Sequence, residues 1–544
     1  MVEFKQLFES KYTWYEGFMR NVRRYADKTA VIDPLRQQTL TYSMLNQEAC
    51  RFAVAMRRDG FKHGDVVMIM LKNCQEFVFA YIAAHKTRGV CCPVSFRLSA
   101  GELAYAIDDA QPKVFIYDAQ FAATVDIALH IAKHAPRHIL VAGAYSDEMP
   151  GMAYARYVGT VSDAGCALPD CDHNIYDETL RLYTSGTTGR PKAVPILSIN
   201  EVLSAHDVMM QLPMNAEDTT MNTTPWFHRG GIHSAGPGCA FYAGATVVIM
   251  DKFAADRALE YVEKYGITYV IGVPTVLDNI ADEQERNKYN ISSIRGFIAM
   301  GSPLERESCL RYERVLTPNI FNGYGTTETF WNTMLRPHDI LDHAGSAGRS
   351  CTDDDVRVVK LYDDHEAEPN DTVAMDNNEV GEVIICSPAK SPYRYHDGSL
   401  ATQNKFYKGF VYTNDLATWD KDQFITILGR KDDMIISSGE NIYPAEIESV
   451  LDANDKVEDS IVTCVPDQVR GQKVVAYVVP SDKSLTAVEL DAYCKASHAI
   501  ANFKRPRLYR FVDEIPHNTL GKKMHVYMKD IAKDDLQNGR FTEV

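Results

Sequence analysis

Residues 45–71 have the sequence LNQEACRFAVAMRRDGFKHGDVVMIML, and the order of its two halves recurs along the chain. Apolar residues repeat at helical spacing over Leu45–Gly60, and Val66–Leu71 is a short apolar run typical of a buried strand. Arg257–Tyr265 and Thr268–Val273 repeat the helix-to-strand order. Such alternation predicts an α/β fold, with helices layered on largely parallel sheets.

The composition is that of a globular protein with an acidic charge balance. The 544 residues are 45% hydrophobic and 24% charged, and 57 basic against 73 acidic residues leave a net charge of −16. A chain of this length is expected to hold two or more folding units. The negative balance disfavours a broad phosphate-tracking surface, so neither nucleic acid nor an anionic membrane is expected as the main partner.

Nothing in the sequence predicts export or a membrane span. Met1–Phe18 has scattered charges and no apolar core segment, and no apolar run approaches the roughly 18 residues that cross a bilayer. The twelve cysteines include no C-x-x-C pair, and Cys91 and Cys92 lie in an apolar run, which favours buried thiols over disulfides or structural zinc. We therefore expect a reduced, cytoplasmic protein and leave open whether it forms a homodimer.

Two interruptions of the pattern bear on domain organisation. Asp353–Asn378 is acidic and broken, which predicts a surface excursion. Leu428–Asp433, LGRKDD, is a polar break between apolar runs, and new strand patterns such as Val474–Val479 follow it. The predicted domains are therefore residues 1–431 and a smaller unit of residues 432–544.

The first chemical motif is LYTSGTTGRPKAV at Leu182–Val194. It lacks the Walker A spacing, but its composition suits a loop around phosphate. Glycines allow close backbone approach, hydroxyls donate hydrogen bonds and a lysine adds a cation: Gly186, Gly189, Ser185, Thr187, Thr188 and Lys192. The alternative is a flexible Ser/Thr/Gly turn between two strands.

The second motif is NGYGTTET at Asn322–Thr329. The aromatic ring of Tyr324 stands between two glycines, where it can present its face to a flat base. Thr327 and Glu328 could serve a nucleotide and Mg²⁺, which takes one or two carboxylates plus phosphate oxygens. The alternative is an ordinary turn followed by an acid.

Two further motifs lie towards the C-terminus. In YTNDLATWD at Tyr412–Asp420, Asp415 could accept both hydroxyls of a ribose, and Arg430 could donate to the same sugar or to phosphate. The alternatives are an Asx-turn and a surface ion pair. In PHNTLGK at Pro516–Lys522, Lys522 could reach into a cleft as a mobile charge, although a lone lysine in a polar loop is usually solvated.

Together, in this order and spacing, the four motifs resemble those of the adenylate-forming (ANL) superfamily of acyl-CoA synthetases, over roughly residues 10–530. RKDDMIISSGENIYPAEIESVL and FKRPR look most similar to the benzoate/chlorobenzoate–CoA ligase type. The resemblance implies a large N-terminal domain of layered α/β sheets and a distorted barrel, with a small mobile α+β C-terminal domain that turns at a hinge at Asp432.

The implied activity is an AMP-forming acid–CoA ligase that uses ATP, Mg²⁺ and coenzyme A. Thr184–Lys192 would cover the β- and γ-phosphates, Glu328 would hold Mg²⁺, and Lys522 would bridge the substrate carboxylate and the α-phosphate. The other implied nucleotide contacts are Gly301, Ser302, Pro303, Asn322, Gly323, Tyr324, Gly325, Thr326, Thr327, Asp415 and Arg430. The implied CoA contacts are Ser438, Gly439, Glu440, Phe503, Arg505 and Arg507.

His228, in PWFHRGG, matches a family histidine thought to gate the acyl pocket or thiol tunnel, although a histidine without that context is usually structural. The implied pocket residues are Trp226, His228, Arg229, Gly230, Gly231, Ala299, Met300, Tyr324 and Trp331. The two bulky tryptophans argue for a compact aromatic, alicyclic or short- to medium-chain acid. Arg229 could pair with a second polar group of the substrate, pair with a protein acid, or point away.

The sequence departs from the family pattern in three places. The phosphate loop ends in PKAV where the family more often has PKGV, and Thr413-Asn414-Asp415 replaces the family triplet TGD. Arg470 stands where the chlorobenzoate–CoA ligase has an aromatic residue. The main alternative function is an adenylation enzyme that loads the phosphopantetheine of a carrier protein. A luciferase-like oxygenase shares the same motifs. A non-catalytic binding protein is disfavoured because Lys192, Glu328, Asp415, Arg430 and Lys522 occur together.

Overall fold

The computed structural model describes residues 3–162, 172–184, 191–362, 365–396, 398, 405–437, 440–497, 500–517 and 523–544. These fall into two compact units. The larger contains Met1–Asp342, Ser350–Asp355 and Ile385–Val411, and the smaller contains His343–Arg349, Val356–Ile384 and Tyr412–Val544. The mixed α/β architecture with a large N-terminal and a smaller C-terminal part confirms the predicted fold class.

Two largely parallel sheets form the framework of the larger unit. One has the spatial order Phe330–Leu335, Ile320–Thr326, Gly296–Met300, Tyr269–Gly272, Thr219–Asn222, Thr246–Val248, Thr29–Asp33 and Gln38–Thr41. The other has the order Met152–Ala153, His138–Ala142, Val114–Asp118, Val66–Met70, Val90–Pro93, Glu178–Thr184 and Lys192–Leu197.

Helices alternate with these strands along the chain, as the sequence pattern predicts. They are Phe4–Lys11, Trp14–Arg24, Tyr42–Arg58, Gln75–Lys86, Ala100–Ala110, Ala122–Ile131, Tyr154–Val158, Ser198–Gln211, Arg229–His233, Pro237–Ala243, Ala255–Tyr265, Pro274–Asn287, Arg306–Val315 and Ile340–His343. None of the helices in the described part of the chain combines the length and the apolarity needed to cross a bilayer.

The strand Val66–Met70 shows why its sequence is continuously apolar. Successive side chains of a strand point to opposite faces of the sheet. Val67 and Ile69 enter one hydrophobic cluster, whereas Val66, Met68 and Met70 enter another. Because both faces are covered, no position tolerates a polar side chain. Cys91 and Cys92 on the neighbouring strand are fully buried for the same reason.

Each framework sheet contains an antiparallel strand pair that carries one of the first two sequence motifs. Glu178–Thr184 pairs antiparallel with Lys192–Leu197, and Ile320–Thr326 pairs antiparallel with Phe330–Leu335. The connections between these strands are short. The motif residues are therefore held at strand ends, where a rigid sheet positions a turn.

The smaller unit has its own sheet and hydrophobic core. Its C-terminal strands are Val457–Asp467, Gly471–Pro480, Leu508–Phe511 and Thr542–Glu543, and Ile435–Ser437 pairs with Glu440–Ile442. Its helices are Pro444–Asp452, Ala487–Ala496 and His525–Gln537. A further sheet contains Asp355–Val359, Gly381–Cys386, Phe406–Tyr407, Phe410–Trp419 and Ile425–Arg430.

The expectation of a surface excursion over Asp353–Asn378 is wrong for its first part. Asp355–Val359 is a sheet strand, and Val358 and Val359 are at most 1% exposed. The run DVRVV has the polar–apolar alternation of a strand, but the acidic residues around it are typical of a surface loop. The predicted domain boundary between residues 431 and 432 stays a prediction. The hinge at Asp432, which concerns a movement of the C-terminal part, stays a prediction as well.

A buried carboxylate joins several elements of the larger unit. Glu201, on helix Ser198–Gln211, is fully buried and accepts hydrogen bonds from the Tyr81 hydroxyl and from Thr179 Oγ1, the latter at 2.5 Å. His85 Nε2 lies 2.9 Å from its Oε1, and His233 Nε2 lies 3.4 Å from its Oε2. Burial alone would raise the pKa of Glu201, but these histidines and their hydrogen bonds hold it far below its ordinary value.

Removing this carboxylate should destabilise the larger unit strongly. We expect Glu201→Ala to lower the free energy of unfolding by about 3–5 kcal/mol, because its buried partners lose their common acceptor. Urea unfolding followed by tryptophan fluorescence measures the change. Glu217→Ala, at an exposed position in the turn between helix Ser198–Gln211 and strand Thr219–Asn222, is the control and should stay within about 0.5 kcal/mol of the parent chain. Equal stability of both variants would contradict the role of the cluster.

Candidate active site

The phosphate-loop motif is held between two paired strands. In the antiparallel register Thr184 lies opposite Lys192, so the first and last residues of the predicted loop are adjacent. Ser185, Gly186, Thr187, Thr188 and Gly189 lie outside the described residues. Strand pairing thus brings the ends of the loop together and places the Lys192 side chain at its base.

The second motif forms a tight turn that requires glycine. A Cβ on Gly325 would lie 1.5 Å from the carbonyl oxygen of Phe330, closer than any side chain allows. Phe330 itself has φ +65°, a left-handed conformation that is rare for an aromatic residue. The hydroxyls of Thr326 and Thr329 lie 3.0 Å apart across the turn. Thr327 and Glu328 are consequently fixed at its tip.

The predicted adenine-site residues come from neighbouring parallel strands. Ala299 pairs with Asn322 and Met300 with Gly323, so the beginning of AMGSPL lies beside NGYG. Gly301, Ser302 and Pro303 follow the strand directly, and Gly301 turns the chain with φ +88°. The structure therefore brings these two sequence motifs together, although their contacts with a base remain predictions.

Glu328 is a buried carboxylate held by a tyrosine. Glu328 is only 6% exposed, and the Tyr395 hydroxyl donates a hydrogen bond to Glu328 Oε1 at 2.6 Å. Burial pushes the pKa of Glu328 up, but the charge of Lys405 and the Tyr395 hydrogen bond outweigh it, so the pKa lies below its ordinary value. The carboxylate is therefore ionised at neutral pH, as a metal ligand must be.

Tyr395 also contacts the lysine of the phosphate loop. The Lys192 ammonium lies 5.2 Å from the centre of the Tyr395 ring, within cation–π range. His396, the next residue, donates its backbone N–H to the carbonyl of Ala193 at 2.8 Å. No sequence pattern predicts a role for Tyr395, because SPYRYHDG has neither the glycine spacing nor the periodicity of the other motifs.

Arg229 supports the turn from inside. It is 3% exposed, and its Nη1 donates to the carbonyl of Thr327 at 2.7 Å while Nη2 donates to the carbonyl of Lys390 at 2.5 Å. Its guanidinium lies 5.6 Å from the Phe330 ring centre. Burial lowers the pKa of Arg229 to about 9, although three nearby carboxylates oppose the shift. Its two shortest hydrogen bonds go to main-chain carbonyls, and Nη2 also donates to Ser204 Oγ at 3.5 Å, an arrangement that the alternatives drawn from the sequence did not include.

Lys390 neutralises two buried carboxylates beside Arg229. Its Nζ lies 2.7 Å from Asp207 Oδ2 and 2.6 Å from Asp354 Oδ2, and it also donates to the carbonyl of Trp331. Asp207, Cys351 and Asp354 lie close enough to hold a metal ion. The ammonium of Lys390 already bridges the two carboxylates, so this cluster is an internal ion network.

The predicted acyl-pocket residues form two groups. Gly230 lies against Met300, since a Cβ on Gly230 would be 2.9 Å from the Met300 methyl group, and Trp331 stacks on Phe330 at 5.3 Å. Trp226 is instead 1% exposed in the main core, where it meets Phe77 edge-on at 5.5 Å. Gly231 packs against the backbone of Pro225, and the His228 ring lies 4.2 Å from that of Phe227.

In the smaller unit, strand pairing joins the predicted ribose residues. Asp415 lies opposite Arg430 in the antiparallel register, and Arg430 Nη1 donates to Asp415 Oδ1 at 3.1 Å. The Asp415 side chain is 15% exposed and that of Arg430 is 43% exposed. Asp432, the predicted hinge, lies in the short 3₁₀ turn Lys431–Asp433 and accepts from Asn414 Nδ2 at 3.4 Å.

The predicted CoA residues of the smaller unit differ in their surroundings. Phe503 is 45% exposed, whereas Arg505 is 7% exposed and paired with Asp491. Burial and the charges of Arg505 and Arg470 lower the pKa of Arg507. Arg470, the departure from the family's aromatic residue, therefore lies close enough to add positive charge to this group. Glu440 begins a short strand, and Ser438, Gly439 and Lys522 lie outside the described residues.

Comparison with known proteins identifies the class. Residues 18–391 match the model of the AMP-binding enzyme family, and residues 446–522 match that of the AMP-binding enzyme C-terminal domain. The chain therefore belongs to the AMP-binding enzyme family.

Named relatives and a solved structure extend over nearly the whole chain. An indoleacetate–CoA ligase of Aromatoleum aromaticum is 30% identical, with 94% of each chain covered. The long-chain-fatty-acid–CoA ligase FadD13 of Mycobacterium tuberculosis is 28% identical over 92% of this chain and 95% of its own. The o-succinylbenzoate–CoA synthetase MenE of Bacillus subtilis, solved with its acyl-adenylate intermediate, is 25% identical with a TM-score of 0.81, over 94% of this chain and 98% of its own.

Replacement of Arg229 tests whether its side chain supports the turn or contacts the substrate. We expect Arg229→Met to lower the free energy of unfolding by about 2–4 kcal/mol, since two buried carbonyls lose their donors. Urea unfolding measures this, and Arg286→Met, whose side chain is 72% exposed, is the control. Unchanged stability together with an altered preference among acids would show instead that Arg229 faces the substrate.

Proposed function

We propose that this protein is an AMP-forming acid–CoA ligase, which activates a carboxylic acid with ATP and passes the acyl group to coenzyme A. The observation that carries the proposal is the ionised Glu328 on a rigid turn, linked through Tyr395 to Lys192 at the base of the phosphate loop. Membership of the AMP-binding enzyme family and its CoA-ligase members support the same reaction.

In the first step an oxygen of the substrate carboxylate attacks the α-phosphorus of ATP, and the bond to pyrophosphate breaks as the new O–P bond forms. The carboxylate is already ionised, so no general base is needed. Negative charge grows on the phosphate oxygens, and the Lys192 ammonium would stabilise it. Thr327 would contact the α-phosphate, and Tyr324 with Gly301, Ser302 and Pro303 would receive the adenine.

Glu328 fits a magnesium site of the kind that nucleotides complete. Mg²⁺ commonly takes one or two carboxylates and fills its remaining positions with phosphate oxygens and water. A single buried, ionised carboxylate beside a phosphate loop matches that donor set. When bound, the ion would supply charge neutralisation on the transferring phosphoryl group.

In the second step the sulfur of CoA attacks the acyl-adenylate carbonyl, a C–S bond forms, and the C–O bond to AMP breaks. The predicted CoA contacts are Ser438, Gly439, Glu440, Phe503, Arg505 and Arg507. Because Arg505 is paired with Asp491, we assign the phosphate-binding charge chiefly to Arg507 and Arg470.

A compact acyl group suits the residues around Met300. Among the predicted pocket residues, Gly230 packs against Met300, and Trp331 stacks on Phe330. Bulky side chains in this group favour a compact acid over a long chain. We therefore propose an aromatic, alicyclic or short- to medium-chain acid. The indoleacetate ligase supports an aromatic substrate.

Product analysis tests the proposed reaction and its substrate together. The protein is incubated with Mg-ATP, CoA and a pool of aromatic, alicyclic, short and long carboxylates, and the products are identified by mass spectrometry. We expect new acyl-CoA masses, with AMP formed in place of ADP. Acyl-AMP without a thioester would favour the alternative acceptor, a carrier-protein phosphopantetheine.

Separate assays of the half-reactions test the proposed roles of two charged residues. Lys522→Ala and Glu328→Gln should each slow adenylate formation by about 100-fold or more, because each removes charge stabilisation at the transferring phosphoryl group. Both variants should still form thioester from supplied acyl-AMP, and Lys483→Ala, at an exposed site, is the control. Equal loss in both half-reactions would contradict these assignments.

A substitution at the predicted hinge should have the opposite effect on the two half-reactions. Asp432→Pro fixes one backbone torsion, so it should leave adenylate formation near the parent rate and impair thioester formation. The same two assays measure this, and Lys421→Pro, in a solvent-exposed turn of the same unit, controls for the effect of proline itself. Loss of the first step in Asp432→Pro would count against a hinge at this residue.

A further inference from the structure

Tyr395 contacts two charged groups of the proposed Mg-ATP site with different parts of one side chain. Its hydroxyl donates to Glu328 at 2.6 Å, while its ring faces the Lys192 ammonium at 5.2 Å. The residue is only 4% exposed. A hydrogen bond from a hydroxyl favours the ionised carboxylate. The face of an aromatic ring attracts an ammonium group but leaves the N–H donors of that group available for another partner.

The position of Tyr395 is fixed from three directions. The ring packs against Phe406 at 5.4 Å, and the hydroxyl is anchored on Glu328. The backbone bond from His396 to Ala193 holds the segment against the strand that begins at Lys192. The side chain therefore has little freedom, so it can define where the carboxylate and the ammonium lie.

Glu328 is buried and Lys192 is half-buried, and two opposite charges so placed would ordinarily pair, because pairing offsets the cost of burying the carboxylate. Such pairing would occupy the charges that phosphate and metal require. The phenol gives each of them a different partner: the carboxylate, which also lies near the charge of Lys405, receives a hydroxyl donor, and the ammonium receives an aromatic face.

We propose that Tyr395 is a positioning residue that holds the Glu328 carboxylate for a nucleotide-bound divalent cation and the Lys192 ammonium for the phosphates. The proposal rests on the proposed function, since it concerns how the same Mg-ATP site is arranged. It predicts that the hydroxyl matters for the metal and the ring matters for the nucleotide.

Two variants separate the hydroxyl from the ring without requiring turnover. Binding of α,β-methylene-ATP, which cannot release pyrophosphate, is measured by calorimetry with EDTA and again with saturating Mn²⁺. We define the metal gain as the dissociation constant measured with EDTA divided by the dissociation constant measured with Mn²⁺. Tyr395→Phe should leave the metal-free affinity within twofold of the parent chain and reduce the gain about tenfold or more.

Tyr395→Leu should show the same loss of metal gain and also weaken metal-free binding roughly two- to fivefold, because Lys192 loses its aromatic contact. Tyr393→Phe is the matched control. It removes a partly buried hydroxyl two residues away, which accepts from the Ser387 N–H at 2.7 Å, and should change neither constant. Thermal melting of each variant verifies that it is folded.

Glu328→Gln distinguishes failure of this inference from failure of the proposed function. If Glu328→Gln reduces the metal gain but Tyr395→Phe leaves it unchanged, Tyr395 does not position the carboxylate and the inference is wrong. If Glu328→Gln leaves the gain unchanged, the assignment of Glu328 to the metal is wrong, and the role of Tyr395 falls with it. Equal loss of gain in Tyr393→Phe would also overturn the inference, because any nearby hydroxyl would then suffice.

Discussion

The arrangement of the candidate site depends on one buried guanidinium. Arg229 donates to the carbonyls of Thr327 and Lys390, and so joins the turn that carries Glu328 to the segment that carries Tyr395. A charge of this kind is costly to bury, and here Glu201, Glu328 and Asp354 offset part of the cost. The turn, its supporting segment and their counter-charges therefore have to form together, which makes the larger unit cooperative around its reactive residues.

Electrostatic preorganisation follows from the same arrangement. Lys390 bridges Asp207 and Asp354, which leaves the neighbouring Glu328 bonded to Tyr395 and close to Lys405. Each of these carboxylates thus has a cation or a hydrogen-bond donor beside it within the fold. A site whose charges are already paired and fixed needs little rearrangement when a charged transition state forms, and this is the main source of catalysis expected in phosphoryl transfer.

Much of the framework was predictable because its signals are local. Apolar runs such as VVMIM are continuous where both faces of a strand are buried, and helical spacing marks the segments between them. The motif at Asn322–Thr329 was recognisable because Gly325 is required by the close carbonyl of Phe330. The strand Asp355–Val359 was missed because flanking acids resemble a loop, and Trp226 proved to pack in the core against Phe77.

By itself the sequence determined the α/β class, the family and the residues that could bind nucleotide, because periodicity, glycine spacing and motif order are properties of the linear chain. Only the tertiary structure decided that Arg229 donates to main-chain carbonyls, that Lys390 bridges two aspartates, and that Tyr395 joins Lys192 to Glu328. These partners are separated by 36 to 203 residues along the chain. No local pattern encodes such pairs, because burial selects partners by their proximity in space, and that proximity exists only once the sheets have formed.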